Sequence, residues 1–260
     1  MKRYHYTIIA QCAYYLELKA AIHQPQYFPY PGFFHKLSLA DVFVVMDNAQ
    51  YDKRFTNRNK IISTYGWTWI TVPINKEHKF LPNRLVEINN DSSWKEIHWK
   101  KILTAYANAK FFHLYRDYIK SLYLRDWKYL FDLDFETLKQ TVQWLGLKIR
   151  IIQESELTVM GKATERLISI CKAVGADTYI SGRGGGNYID EKLFEKNDLR
   201  LEYQNYIPQR YAQNLSKSFI PDLSILDMLV NVGPDSLKLM TNGSQSDNPK
   251  DELIKNFSPN

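Results

Sequence analysis

Cysteine is nearly absent: Cys12 and Cys171 are the only two among 260 residues, and neither belongs to a CxxC pair. That excludes a disulfide framework or a cysteine-rich metal ribbon, and it fits a reducing compartment, so a cytoplasmic location is expected. Cys171, inside "LISICKAVG", is expected to be a buried thiol. No apolar run is long enough to cross a membrane. The six histidines stand at 5, 23, 35, 78, 98 and 113, without HExxH spacing, so neither a metal nor a cofactor is expected. The chain also lacks a GxSxG nucleophile turn, a GxGxxG fingerprint, a GxxxxGK[ST] phosphate loop and internal repeats.

What is present is tyrosine and a mild excess of positive charge. Eighteen tyrosines lift the aromatic content to 14%, which suits either a ring-lined pocket or a tyrosine-rich core. The stretches around Trp67–Trp69 and Phe111–Tyr118 are expected to be core. The formal charge of +6 suits an anionic ligand without demanding nucleic acid.

Strand patterns recur at Ala20–Gln24, Asp41–Asp47, Thr68–Ile74, Arg84–Asn89, Lys148–Gln153, Asp177–Ser181 and Leu199–Gln204. Helical patterns fill most of the intervals, including a run between Trp94 and Gly146 that reads as an inserted helical layer. Ser93 followed by Glu96 suggests a capping box, Gly146 and Gly175 read as helix ends, and Asp222 as a cap of the last helix. The alternation predicts an α/β fold with a mainly parallel sheet. Residues 1–19 begin basic and turn apolar without a leader-like apolar stretch, and are expected to form an N-terminal extension. Residues 20–240 read as one domain, and 241–260 as a flexible polar tail.

Three loops follow strands, where open α/β sheets bind ligands. In the first, "HQPQYFPYPG", His23 and Gln24 end a strand and three prolines stiffen the turn beyond it. A helix beginning at Gly32 would offer N–H groups to a phosphate, and a rigid turn plugged by rings is the alternative. The second, Asp47–Ile61, interleaves Asp47, Asn48, Gln50, Asn57 and Asn59 with Lys53, Arg54, Arg58 and Lys60. These residue types grip phosphate or carboxylate and fix orientation. In the third, four glycines fall between Ser181 and Gly186, giving a ligand close access to the backbone.

The blocks "IHQPQYFPYPGFFHKLSLADVFVVMDNAQYDKRFTNRNKI", "WTWITVPI", "YISGRGGGNYID" and "DLSILDMLVN" resemble the WbqC-like protein family, in order, from about Ala20 to Gly233. The resemblance implies a cytoplasmic bacterial transferase of O-antigen and related lipopolysaccharide synthesis, adding glycine or another small acyl group to the amine of a nucleotide-linked amino sugar. The acyl or aminoacyl donor is open, aminoacyl-tRNA being the one nucleic-acid partner considered. It assigns His23, Gln24, Tyr27, Asp47, Gln50, Tyr51, Lys53, Arg54, Asn57, Arg58 and Asn59 to one part of a site, and Ser181, Gly182, Gly185 and Tyr188, with Gly184 of the same loop, to another. Neutralising the amine requires a base: His23 is the first candidate and Asp47 the second, with Lys53, Arg54 or backbone N–H groups as oxyanion donor. The opening strand, loop and glycine-led helix also resemble nucleotidylyltransferases with an HxGH-type motif, which implies a Rossmann-like shape, although Phe33 stands where a histidine would follow Gly32. A nucleotidyl-transfer or ligase enzyme and a non-catalytic sugar-nucleotide-binding protein are the alternatives.

Overall fold

A computed structural model describes residues 17–242. All but the first two residues of the expected tail, of which Thr241 ends a helix, and all but the last three of the expected N-terminal extension lie outside the described residues. In chain order the elements are β1 (Lys19–His23), α1 (Pro31–Ser38), β2 (Val42–Val45), β3 (Arg58–Ser63), β4 (Gly66–Thr71), α2 (Trp94–Tyr106), α3 (Phe112–Leu124), α4 (Leu130–Leu145), β5 (Arg150–Gln153), α5 (Ala163–Val174), β6 (Thr178–Ser181), α6 (Glu191–Glu195), β7 (Arg200–Tyr203), α7 (Ile225–Val232) and α8 (Ser236–Thr241). Among the described residues no helix is long and apolar enough to cross a membrane.

Five strands form one parallel sheet in the order β5-β2-β1-β6-β7. Counted along the chain this is 3-2-1-4-5, the order of doubly wound nucleotide-binding sheets. Every residue of β2 is buried, as an unbroken apolar run requires when both faces are covered. The period of two in β1 and β2 divides the core between the faces. Ala20, Ile22, Val42 and Val44 pack with Leu167, Ile170 and Cys171 of α5 and Phe194 of α6. Ala21, Phe43 and Val45 pack with Phe33, Phe34 and Leu37 of α1, in a larger core shared with α2–α4 and α7. Cys171 is buried as expected, which pushes its thiol up to about 12. Helices α4 and α5 close on Gly146 and Gly175, both in the left-handed conformation that stops a helix.

The insertion between β2 and β5 is more than helices. Arg58–Ser63, expected within a loop, is a strand paired antiparallel with β4 in a separate hairpin. Its alternation is hidden because Asn59, buried like Ile61, is polar. The expected strand Arg84–Asn89 is instead a 3₁₀ turn over Asn83–Leu85 followed by isolated bridges, Ile74 with Ile88 and Glu87 with Tyr129. Ser93 precedes α2 without a side-chain cap. The cap of α7 is Ser224, whose Oγ accepts from Leu226 N at 3.3 Å, rather than Asp222. The core expectation holds for Phe112 and Tyr115 but fails for Trp67, which is 46% exposed on the hairpin.

Gly233, just past α7, has φ +71°, and a Cβ there would lie 2.5 Å from the Phe111 ring. Gly233→Ala is therefore expected to destabilise the fold by about 2–4 kcal/mol, measured as a lower urea midpoint with unchanged slope.

Candidate functional site

The direction of the main sheet's connections reverses between β1 and β6, and in sheets of this order a binding crevice lies there, outside the C-terminal strand ends. The β1–β6 ladder stops at Ala21–Ile180. One residue further, the Ile22 carbonyl accepts a hydrogen bond from Lys36 Nζ at 3.1 Å. Lys36 rises from α1 and is buried, and its ammonium is pushed down to about 7 by that burial. His23 shares the face of Ala21, and its ring meets Phe33 edge-on at 5.2 Å. His23 Nδ1 donates to the Gln24 carbonyl at 3.0 Å, which leaves Nε2 as an acceptor. Burial first and the Lys36 charge second push the imidazole down to about 3, against the bond to Gln24, so it is neutral near neutrality. Lys36 was not among the residues singled out from the sequence; its one signal is a lone cation in the otherwise apolar "FFHKLSLA".

The loop after β1 is held from behind. Tyr27 N–H donates to the Phe55 and Thr56 carbonyls at 3.3 and 3.1 Å. Asn59 Nδ2 donates to the carbonyls of Tyr27 (3.3 Å) and Phe28 (2.7 Å), and Phe28 holds φ +43°. The Tyr27 hydroxyl belongs to a buried chain. Because the Thr71 carbonyl only accepts, His98 Nε2–H donates to it (3.1 Å), His98 Nδ1 accepts from Tyr27 (3.2 Å), and Tyr27 accepts from Tyr123 (2.6 Å). The N-terminus of α1 is not open to a phosphate as expected: Phe33 N–H donates to the Tyr30 carbonyl, and the Tyr30 and Tyr206 rings close over Gly32, so that a Cβ there would sit 2.4 Å from Tyr30.

Lys53 and Arg54 project from the second loop into solvent, and Arg54 is paired with Asp52 at 2.6 Å. That pairing raises the Arg54 guanidinium. The remaining residues of the second loop lie in its scaffold or beyond it. Tyr51 is buried and pushed up to about 12 by that burial and by Asp134. Asn57 Nδ2 donates to the Val72 carbonyl at 2.8 Å. Gln50 bridges to Pro82, and Arg58 lies on the hairpin against Trp69. Asp47 is buried at the end of β2; Oδ1 accepts from Ser155 N at 2.9 Å, which caps the turn after β5, and Oδ2 has no protein partner.

Ser181 ends β6 beneath the glycine loop, and a Cβ on Gly185 would meet its Oγ at 2.0 Å. Gly182 and Gly184 face open space, and Tyr188 is 64% exposed. Gln204, another residue the sequence did not flag, ties the edge together. Its N–H donates to the Ser181 carbonyl at 2.8 Å and its side chain to the Gly32 carbonyl at 2.6 Å and to His35 Nδ1 at 2.9 Å. Arg183 bonds Asn205 on the same rim. His23 and Gln24 after β1, and Ser181, Gly182, Gly184, Gly185 and Tyr188 after β6, therefore follow neighbouring strand ends, with Lys53 and Arg54 exposed on the second loop, whereas Tyr27, Tyr51, Asn57, Asn59 and Asp47 are buried in the scaffold. Asp134 of α4, also unflagged, is buried with both oxygens unpartnered, and burial raises it well above the carboxylate range. Among the described residues no group of three His, Cys, Asp or Glu side chains is set to hold a metal. Two surface grooves lie elsewhere, one of about 820 Å³ beside α5 and α6 and one of about 450 Å³ between β4 and α2.

Residues 24–239 match the model of the WbqC-like protein family. A Mycobacterium tuberculosis protein described as uncharacterized protein Rv1507c is 32% identical over 225 residues, which cover 85% of this chain and 97% of that protein. No solved structure gives a significant match.

Two predictions arise from this geometry. Between pH 6.5 and about 3 the unfolded chain protonates His23 while the folded one does not, so acid lowers stability through this group. The melting temperature of His23→Gln minus that of the wild type should rise as pH falls from 7 to 4; parallel curves would remove the assignment. Asn59→Ala, which strands the Tyr27 and Phe28 carbonyls, is expected to cost about 1–3 kcal/mol in chemical unfolding.

Proposed function

This chain belongs to the WbqC-like protein family, and with its crevice in view we propose that it transfers a glycyl or other small acyl group to the amine of a nucleotide-linked amino sugar, in the cytoplasmic assembly of O-antigen or a related surface polysaccharide. The observation that carries this reading is the 3-2-1-4-5 order of the sheet, with the candidate residues on loops that follow β1, β2 and β6; nucleotides bind at the switch point of such sheets. Lys53 and Arg54 would take the diphosphate, Arg54 exchanging Asp52 for the ligand. Gly182 and Gly184 have no close neighbour that demands glycine, and a ligand approaching the main chain would account for both.

Attack on an acyl donor needs the amine in its neutral form. His23 Nε2 would accept a hydrogen bond from that amine and orient it. With its conjugate acid near 3, His23 is a weak base in the free protein, and Lys36, near 7, is the stronger one whose charge it feels. A bound diphosphate would raise both. Asp47, buried with one oxygen engaged by Ser155, would support the site from behind and not meet the amine itself. Lys53 is free to follow the oxyanion as it forms.

The test is mass spectrometry of nucleotide amino sugars incubated with the protein and with aminoacyl-tRNA, acyl-CoA or carrier-protein thioester. An acylated sugar nucleotide is expected, and His23→Ala should lower kcat/KM by about 10²–10⁴-fold. Pyrophosphate release from ATP without sugar acylation would favour nucleotidyl transfer instead. Tight sugar-nucleotide binding with no turnover on any donor would favour the non-catalytic alternative.

A further inference from the structure

The outer face of the β3–β4 hairpin is unlike the rest of the surface. The register pairs Arg58 with Thr71, Lys60 with Trp69 and Ile62 with Trp67, which sets these six on one side of the ribbon, with Ile62 itself buried. Buried Asn59, Ile61 and Ile70 occupy the other. Phe55 stands 6.2 Å from Trp69, and Trp69 5.4 Å from Trp67, centre to centre. Arg58 lies over Trp69 at 4.4 Å and Lys60 over Trp67 at 5.3 Å. Phe55 and Trp67 are 40% and 46% exposed, and Tyr65 at the hairpin tip is 99% exposed.

The charge on this stretch has one sign. Between Asp52, which pairs with Arg54, and Glu77 the sequence carries Lys53, Arg54, Arg58, Lys60 and Lys76 and no aspartate or glutamate. A row of rings alternating with cations, without carboxylates, is complementary to a chain that alternates planar bases with phosphates. A duplex hides its base faces, so the rings select a single strand. Arg58 Nε donates to the Arg54 carbonyl at 3.1 Å, which makes this face continuous with the basic loop of the crevice.

We infer that the exposed face of the β3–β4 hairpin binds single-stranded nucleic acid, its bases stacking on Phe55, Trp69 and Trp67 and its phosphates meeting Arg58 and Lys60. The surface lies outside the crevice, and its occupancy does not depend on acyl transfer.

The test is fluorescence anisotropy of a short labelled single-stranded RNA titrated with the full chain at several salt concentrations. The wild type is expected to bind the strand more tightly than the matching duplex, and inorganic polyphosphate should compete poorly. Trp67→Ala should weaken binding about tenfold with the salt slope unchanged, and Trp67→Phe should restore much of it. Lys60→Gln should reduce the salt slope by about 0.7. Sugar-nucleotide binding to Trp67→Ala, followed by calorimetry, should match the wild type, which separates this inference from the proposed transfer. The inference is overturned by absence of RNA binding, by wild-type affinity in Trp67→Ala, by polyphosphate or duplex binding as tightly as the single strand, or by coenzyme A quenching Trp67 where RNA does not.

Discussion

Everything at the crevice depends on one buried amide. Asn59 stands on β3, in the insertion, yet its side chain bonds two consecutive carbonyls of the loop that leaves the central strand. Tyr27 N–H returns the connection to the carbonyls of Phe55 and Thr56. These bonds hold Phe28 in a left-handed conformation that a bulky residue adopts only when its surroundings enforce it. They also fix the first loop against the second, so the crevice inherits its shape from the hairpin as much as from the sheet. Polar groups of this kind stabilise modestly when satisfied and are costly when orphaned, which makes the clamp a determinant of shape more than of net stability.

The chemistry of the crevice depends on which face of the sheet each residue meets. His23 continues the parity of Ala21 and so falls on the α1 layer, against Phe33 and in the field of Lys36. Ser181 continues the parity of Tyr179 and falls on the α5 side, beneath Gly185. The two neighbouring strands therefore bring an uncharged imidazole from one layer and a hydroxyl-backed glycine loop from the other to the same edge. A shift of one residue in either strand would exchange these environments.

The parallel sheet, the glycine-ended helices and the buried thiol were legible in the sequence because each has a local signature: an apolar run, a stop residue, an apolar helical face. Of the hairpin only β4 was legible, as the strand pattern Thr68–Ile74; β3 was not, because its inward positions include the polar Asn59. Burial separates the candidate residues in a way that residue type cannot. Asn57 and Asn59 look like ligand-orienting amides and spend their donors on the backbone, whereas Lys36 looks like an ordinary helix-end cation and lies buried at the strand ends. Gln204 escaped notice because its partners, Gly32 and His35, are about 170 residues away along the chain.

The sheet's register carries a further implication. Central β1 meets β2 soon after synthesis, but its other neighbour, β6, pairs Thr178 with Lys19 across 159 residues, and β5 reaches β2 from Arg150 to Val42 across 108. Contacts of such separation form late, after the intervening segments have ordered. While the ribosome is still making the first half of the protein, one wall of the cleft has no opposite side. The five-stranded sheet is thereby reserved for a chain whose C-terminal third has emerged and docked.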